Sequence, residues 1–432
     1  MTSGSGPVGA SRGRWSRLAP GFAVAVCALA VWALAVAALC APAQAQEKAQ
    51  PGTTKNDEDV VKAGIKDPYT DGEPKQMADA GIVAFAPFPW ADAQRTTDVD
   101  RVLGERRILW LETAHFRIGC NLASAPMPVP QDQRKYLLDE LKRLKKKLPR
   151  IDDKPKRLDP WLRLHLYAQR AEELYAEFQQ LCSVTDADFG EGTEPGKGKY
   201  LGLPDKYLLL LFQKKSDLAR YLDRFCGVQG ERSYRFYHKR SNQMLAAIAA
   251  EGLEGADEFG LLSHTIYSLA NNLVISYQGY WYELPIWFTE GLSHWYSRRV
   301  PTEFVNVVAK DDEALNEEQQ HEWAPKVRRR AAFSRGWLTF AQLDGLAQHA
   351  DCSYQAHIMA WSRVDYLMSV DHAKVGRMLV GLKGLPLAAD GKVAASAVQA
   401  QEARLLADLF GLDSATFDQR WRDFVLKTYP KK

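Results

Sequence analysis

Between Trp161 and Cys182 the apolar residues Trp161, Leu164, Ala168, Ala171, Tyr175, Phe178 and Cys182 follow one another in alternating steps of three and four. A strand turns successive side chains to opposite faces, so it cannot use that spacing; a helix can, with one stripe buried along its whole length. A helix of this size is roughly 33 Å long at 1.5 Å per residue. The chain must therefore build a core of comparable length beside it. Candidates for the rest of that core are short and apolar. Lys206 to Phe212, KYLLLLF, is bounded by turn residues and predicts a buried strand, and Met244 to Ala249 predicts another. Arg106 to Cys120 predicts the first strand region, with a break around Glu112. Helices are expected over Gln131 to Leu148, from a capping Ser216 to Phe225, and over Ser353 to Ser369. Leu405 to Tyr429 reads as helix, turn at Gly411 to Ser414, and closing helix. The fold class expected is α+β: a small mixed β-sheet packed on helices, followed by a mostly helical C-terminal part.

The start of the chain has a different character. Residues 1–17 carry Arg12, Arg14 and Arg17 and no acid, and Gly21 to Ala41 is a nearly unbroken Ala/Val/Leu run ending near Ala43-Gln44-Ala45. This pattern reads as a secretory signal peptide over 1–45, cut before Gln46. The apolar run is also close to the roughly 20 residues that span a bilayer, so an uncleaved membrane anchor is the alternative. Export to the periplasm, envelope or exterior is expected either way. Residues 46–80 are polar and read as a flexible tether. The aromatic and proline-rich stretch Ile82 to Trp90 is expected to lie extended on the domain surface. Without the three leader arginines, 53 basic residues face 53 acidic ones, so the +3 of the full chain belongs to the leader. No nucleic-acid partner is implied. Cys120, Cys182, Cys226 and Cys352 remain for two disulfides in three possible pairings, or for buried free thiols.

Chemistry concentrates in two successive helices. Phe259 to Ile275 buries Phe259, Leu262, Ile266, Leu269 and Leu273, leaving His264, Ser268, Asn271 and Asn272 off the stripe. Leu284 to Arg299 opens on Pro285, suited to a first helical turn, and buries Phe288, Leu292 and Trp295. Trp287, Glu290 and His294 form a second stripe, and the last two, four residues apart, can meet one ligand.

The second helix, with Trp287, Glu290, Gly291 and Leu292, resembles the WxxEGLAxY-like helix of the gluzincin metallopeptidases, most closely the peptidase MA-like domain of exported bacterial proteins of unknown function. The segment Glu112 to Ile118, ETAHFRI, is similar to that domain's opening strand. The resemblance spans residues 106–430 and implies a zincin-like core over 81–300 and a helical subdomain over 301–432. In that family an HExxH helix supplies two zinc ligands and a general base, and the later helix the third ligand. Here His264-Thr265-Ile266-Tyr267-Ser268 stands where HExxH is expected. Ser268 is a poor zinc ligand and Thr265 cannot act as base, a function worth roughly 10² to 10⁴ in rate.

The expectation is thus an exported, peptidase-like domain without activity, binding a protein or peptide partner in the cell envelope. No cofactor is expected in that reading. The alternative is an active zinc metallohydrolase holding its metal with His264, Glu290 and His294, and a third reading is a structural envelope protein with a filled cleft. The resemblance also implies that Tyr354 or His357 reaches the cleft to stabilise an oxyanion. His115 is a ligand or a structural strand histidine, and His165 is expected half-buried at the surface. The basic and aromatic cluster Tyr234 to Arg240 either grips a ligand or forms an amphipathic edge strand.

Overall fold

The computed structural model describes residues 66–431 apart from 93, 105–106, 195, 254–255, 281–283, 308–320, 334–335 and 387–392. The expected signal peptide or anchor and most of the expected tether lie outside the described residues. Among those described, no helix is long and apolar enough to cross a membrane.

In chain order the elements are α1 (Pro74–Ala80), β1 (Ile82–Phe85), β2 (Pro89–Trp90), β3 (Gln94–Arg95) and α2 (Thr96–Leu103). Next come β4 (Leu109–Thr113), β5 (Phe116–Cys120), β6 (Ala125–Pro126), α3 (Gln131–Lys147), β7 (Arg157–Leu158) and α4 (Pro160–Cys182). β8 (Tyr207–Phe212), α5 (Lys215–Tyr221), β9 (Tyr234–His238) and β10 (Gln243–Ala249) complete the sheet region. The second half is helical: α6 (Glu258–Ser276), α7 (Ile286–Ser297), α8 (Trp323–Ala332), α9 (Phe340–Asp344), α10 (Tyr354–Val370), α11 (His372–Lys383), α12 (Ala395–Leu405) and α13 (Ser414–Thr428).

Six strands form one mixed sheet in the order β1-β4-β5-β8-β10-β9. β5, β8 and β10 run parallel, and the outer pairings are antiparallel. Alternation across this sheet explains the all-apolar β8. Leu209 and Leu211 enter the large core shared with α4 and α6, whereas Leu208, Leu210 and Phe212 enter a smaller core on the opposite face with Trp90, Trp110 and Tyr221. A strand covered on both faces has no side left for polar residues. β10 divides in the same way, Met244, Ala246 and Ile248 against Leu245, Ala247 and Ala249. The architecture is therefore mixed α/β around a six-stranded mixed sheet.

α4 is the helix its spacing predicts, and all seven stripe residues are buried. The Asp159 carboxylate caps it by accepting from the Leu162 amide at 3.0 Å, and Ser183 ends it in the left-handed conformation. On its buried flank Arg170 meets Glu140 through two hydrogen bonds of 2.9 and 2.8 Å, and Arg163 meets Glu258 at 2.5 Å. These charge-assisted contacts lock α3, α4 and α6 together.

Several expectations are corrected. The strand break falls at 114–115 rather than around Glu112, which is paired within β4. Ser216 is not a cap; Lys214 precedes the helix, which loosens into a π-turn over Leu222–Cys226. Pro285 stands at the N-cap rather than inside the first turn of α7. Ile82 to Trp90 is extended, as β1 at the sheet edge, but Phe88 and Trp90 are buried beneath it rather than laid on the surface. The described part of the stretch expected as tether, 66–80, is packed on the domain: it carries α1, and Asp67 is buried against His165 at 3.0 Å. His165 is consequently interior rather than half-exposed. Cys120, Cys182, Cys226 and Cys352 are free thiols, so the two-disulfide option falls. Tyr234 to His238 is an edge strand, antiparallel to β10.

Candidate functional site

The helices predicted to carry the chemistry pack side by side, and α7 packs in turn against α10. α6 begins at Asp257, whose carboxylate accepts from the amides of Phe259 and Gly260. α10 begins at Ser353, whose hydroxyl accepts from Ala356. Gly291 explains how closely α7 and α10 approach: a Cβ there would lie 2.5 Å from the Ala360 carbonyl oxygen and 2.6 Å from Val364. The tryptophan of the Trp-x-x-Glu-Gly pattern is a packing anchor, its indole N–H donating to Glu402 on α12 at 2.6 Å.

Between these helices lies a buried polar cluster centred on Glu290. From α6, the Tyr267 hydroxyl donates to Glu290 Oε2 at 2.5 Å and Asn271 Nδ2 donates to Oε1 at 3.5 Å. From α7 itself, His294 Nε2 stands 3.9 Å from Oε2. From α10, His357 Nδ1 stands 3.4 Å from Oε2 and 3.0 Å from His294 Nε2. His349, on the turn leading into α10, places Nδ1 3.2 Å from Oε1. Glu290, His294 and His357 are buried, whereas the His349 side chain is 28% exposed and forms the solvent side of the cluster.

Burial alone would push the Glu290 carboxyl up, but hydrogen bonds from His349 and His357 and the positive charge of Arg235 hold it well below the usual carboxylate range. Burial drives His294 far below the ordinary imidazole range, helped by the neighbouring His357 and Arg298 and opposed by Glu290. The centre is thus an ionised carboxylate against a neutral imidazole. The His294 ring is clamped between the Tyr267 and Trp323 rings, with centroids 4.9 and 4.8 Å away.

His264 is not brought to this cluster. Asn306 donates through Nδ2 to Ser263 Oγ at 3.1 Å, so its Oδ1 must accept from His264 Nδ1 at 2.8 Å. That leaves Nε2 as a buried acceptor with no hydrogen-bond partner among the described residues. Burial carries this imidazole down to about 4. Thr265 is turned back on its own helix, donating to the Leu261 carbonyl at 2.8 Å, and Ser268 is buried. The helical pair that faces Glu290 is Tyr267 and Asn271, spaced four apart like His264 and Ser268. Three residues turn a helix 60° short of a full revolution, so that pair lies on a face rotated by about 60° and about 4.5 Å further along.

Tyr354 also stays outside the cluster, its hydroxyl accepting from Lys326 Nζ at 2.9 Å. His357 joins it. The residue that sequence reasoning missed is His349, since a lone histidine in a turn carries no periodic signal. Tyr267 was legible only as the fourth position of a degenerate motif.

His115 belongs to a separate centre. Its Nδ1 meets Glu172 at 2.6 Å and its Nε2 meets Asp186 at 3.0 Å, with the ring stacked on Tyr175 at 3.8 Å. Burial opposes its charge, but the two carboxylates prevail and raise its pKa.

What the Glu290 cluster can do follows from its donors. Zinc held by a helical pair from α6 plus Glu290 does not fit, because a phenol and an amide occupy the two facing positions. The side chains of the cluster are shielded from solvent between the helices, with Asn271 and His294 each 1% exposed. No family model matches this chain, and no curated protein matches it.

Proposed function

We propose that this chain is an exported, peptidase MA-like domain of zincin type that does not hydrolyse peptides and acts as a binding or envelope-associated module. The observation that carries the proposal is the identity of the residues facing Glu290. A gluzincin needs two imidazoles and a general base on the helix before its Trp-x-x-Glu-Gly helix. Here the side chains reaching Glu290 from that helix are Tyr267 and Asn271, and Thr265 spends its hydroxyl on a backbone carbonyl. Supporting the zincin reading is the order of elements: the ETAHFRI segment that turns from β4 into β5, a buried parallel strand, a short helix, the edge pair, and the two central helices.

Glu290 in this reading is a retained structural acid, satisfied by a phenol, an amide and imidazoles rather than by catalytic zinc. Losing the base alone removes roughly 10² to 10⁴ in rate, and losing both imidazoles of that helix removes the HExxH-type zinc site in which it would act. The partner is a protein or peptide of the envelope, reached by export through the N-terminal leader or by anchoring on it. The test is hydrolysis of unstructured protein and of a peptide library by the full-length chain with added zinc, beside Glu290→Ala. The expected outcome is no zinc-dependent cleavage by either protein. Zinc-dependent cleavage that disappears in Glu290→Ala would overturn the proposal.

A further inference from the structure

Three nitrogen and oxygen donors converge where Glu290, His294 and His357 meet, and all three residues are buried. Their separations are 3.0 Å between the two imidazole nitrogens, 3.4 Å from His357 to the carboxylate and 3.9 Å from His294 to the same oxygen. Zinc binds nitrogen and carboxylate oxygen at about 2.0–2.1 Å, and a tetrahedron of that radius has edges of about 3.3–3.4 Å. The three separations bracket that edge. One nitrogen of the imidazole pair must donate and the other accept, and His357 Nδ1 is common to both contacts. A single proton at that nitrogen is therefore shared between one imidazole and one carboxylate oxygen, the position a divalent cation would take.

We propose that Glu290 Oε2, His294 Nε2 and His357 Nδ1 form a binding site for a zinc-class divalent cation, one that ties α7 to α10 and is built from a ligand set other than the HExxH pair. Two imidazoles and one carboxylate suit zinc or cobalt rather than calcium or magnesium, which prefer oxygen-only sites. Tyr267, donating to Oε2, and Asn271, donating to Oε1, hold the carboxylate as outer partners of metal ligands usually do. His349 holds the second carboxylate oxygen from the solvent side, its Nδ1 3.2 Å from Oε1, and is not one of the three converging donors. The site rests on donor geometry alone and holds whether or not the peptide-hydrolysis proposal does.

The experiment is titration of the metal-stripped full-length chain with cobalt(II), read by visible absorption and by native mass spectrometry. The expected result is one cobalt per chain with the intense visible bands of four-coordinate cobalt(II), displaced by zinc. His357→Asn and Glu290→Gln should each weaken binding by more than the ~10–100-fold that changes in outer partners cost, and Tyr267→Phe by an amount within that range. His264→Asn should leave the spectrum unchanged. Near-ultraviolet circular dichroism of each metal-free variant separates loss of ligand from loss of fold, and His294→Asn serves as the second ligand variant if one fails to fold. No stoichiometric cobalt in the parent protein overturns the proposal. So does cobalt binding that survives His357→Asn but is lost in His264→Asn.

Discussion

Two centres of similar ingredients and opposite composition stand out, one half-buried at His115 and one buried at Glu290. At His115 one imidazole lies between two carboxylates, Glu172 and Asp186; at Glu290 one carboxylate lies among three imidazoles, His294, His349 and His357. The first is short of positive charge and satisfies itself by keeping a proton on the imidazole, whose pKa is raised against the opposing effect of burial. The second has more nitrogen donors than protons to occupy them. Burial keeps His294 neutral, so its Nε2 accepts the one proton that His357 Nδ1 offers to it and to Glu290. Such a pair of sites teaches that the count of histidines says little; the ratio of imidazole to carboxylate decides whether a cluster closes on itself or stays receptive to a cation.

The comparison can be broken most severely through the backbone. If the Glu290 centre is set by helix packing, Gly291→Ala should cost about 3 kcal/mol, the upper end for overpacking, because the new methyl meets a carbonyl oxygen rather than a movable side chain. Urea unfolding measures it, and a cost below about 1 kcal/mol would show that α7 and α10 part easily. His115→Gln should cost about 2 kcal/mol, less than the loss of a fully buried ion pair, since the Asp186 side chain is 44% exposed.

Acid should separate the two regions further. Below the unfolded imidazole value of 6.5 the unfolded chain protonates its equivalent of His264, while the folded chain refuses the proton until about pH 4. Stability is whole above 6.5 and falls as pH drops through that window, by about 1–2 kcal/mol at pH 5, and His264→Asn should flatten the slope. His115 has the opposite sign: its folded value is raised, so its contribution is complete below 6.5 and is lost as pH rises through the raised value. Imidazole NMR titrations check both, with His115 expected above 6.5 and His264 near 4. His357→Asn in metal-free protein should cost about 1.5 kcal/mol by urea unfolding, the lower end for a hydrogen bond to a charged group, because it removes a long contact to the ionised Glu290 carboxylate together with the one to His294. A cost matching that of His115→Gln would erase the distinction between the centres.

Much of the scaffold was legible because periodicity reports burial. The stripe from Trp161 to Cys182 and the unbroken run Tyr207 to Phe212 each specify an element whose faces are fixed by period. Single polar residues were less legible. Asp67 reads as part of a polar tether until it is paired with His165, a contact across the chain that no local pattern announces. The candidate site was half legible: Glu290 and His294 share a face by spacing, but which turn of α6 opposes them depends on helix rotation and axial shift. A motif template aligned by its histidine chose the turn at 264, and packing chose the turn at 267.

Gly291 has a wider consequence. Because it brings the backbones of α7 and α10 into contact one residue after Glu290 and one turn from His357, the distance between donors on the two helices is inherited from the scaffold. Donor identity and donor spacing are then set by different residues. Side chains at 290, 294 and 357 set what the centre can hold, while the contact at Gly291 sets how far apart α7 and α10 carry them.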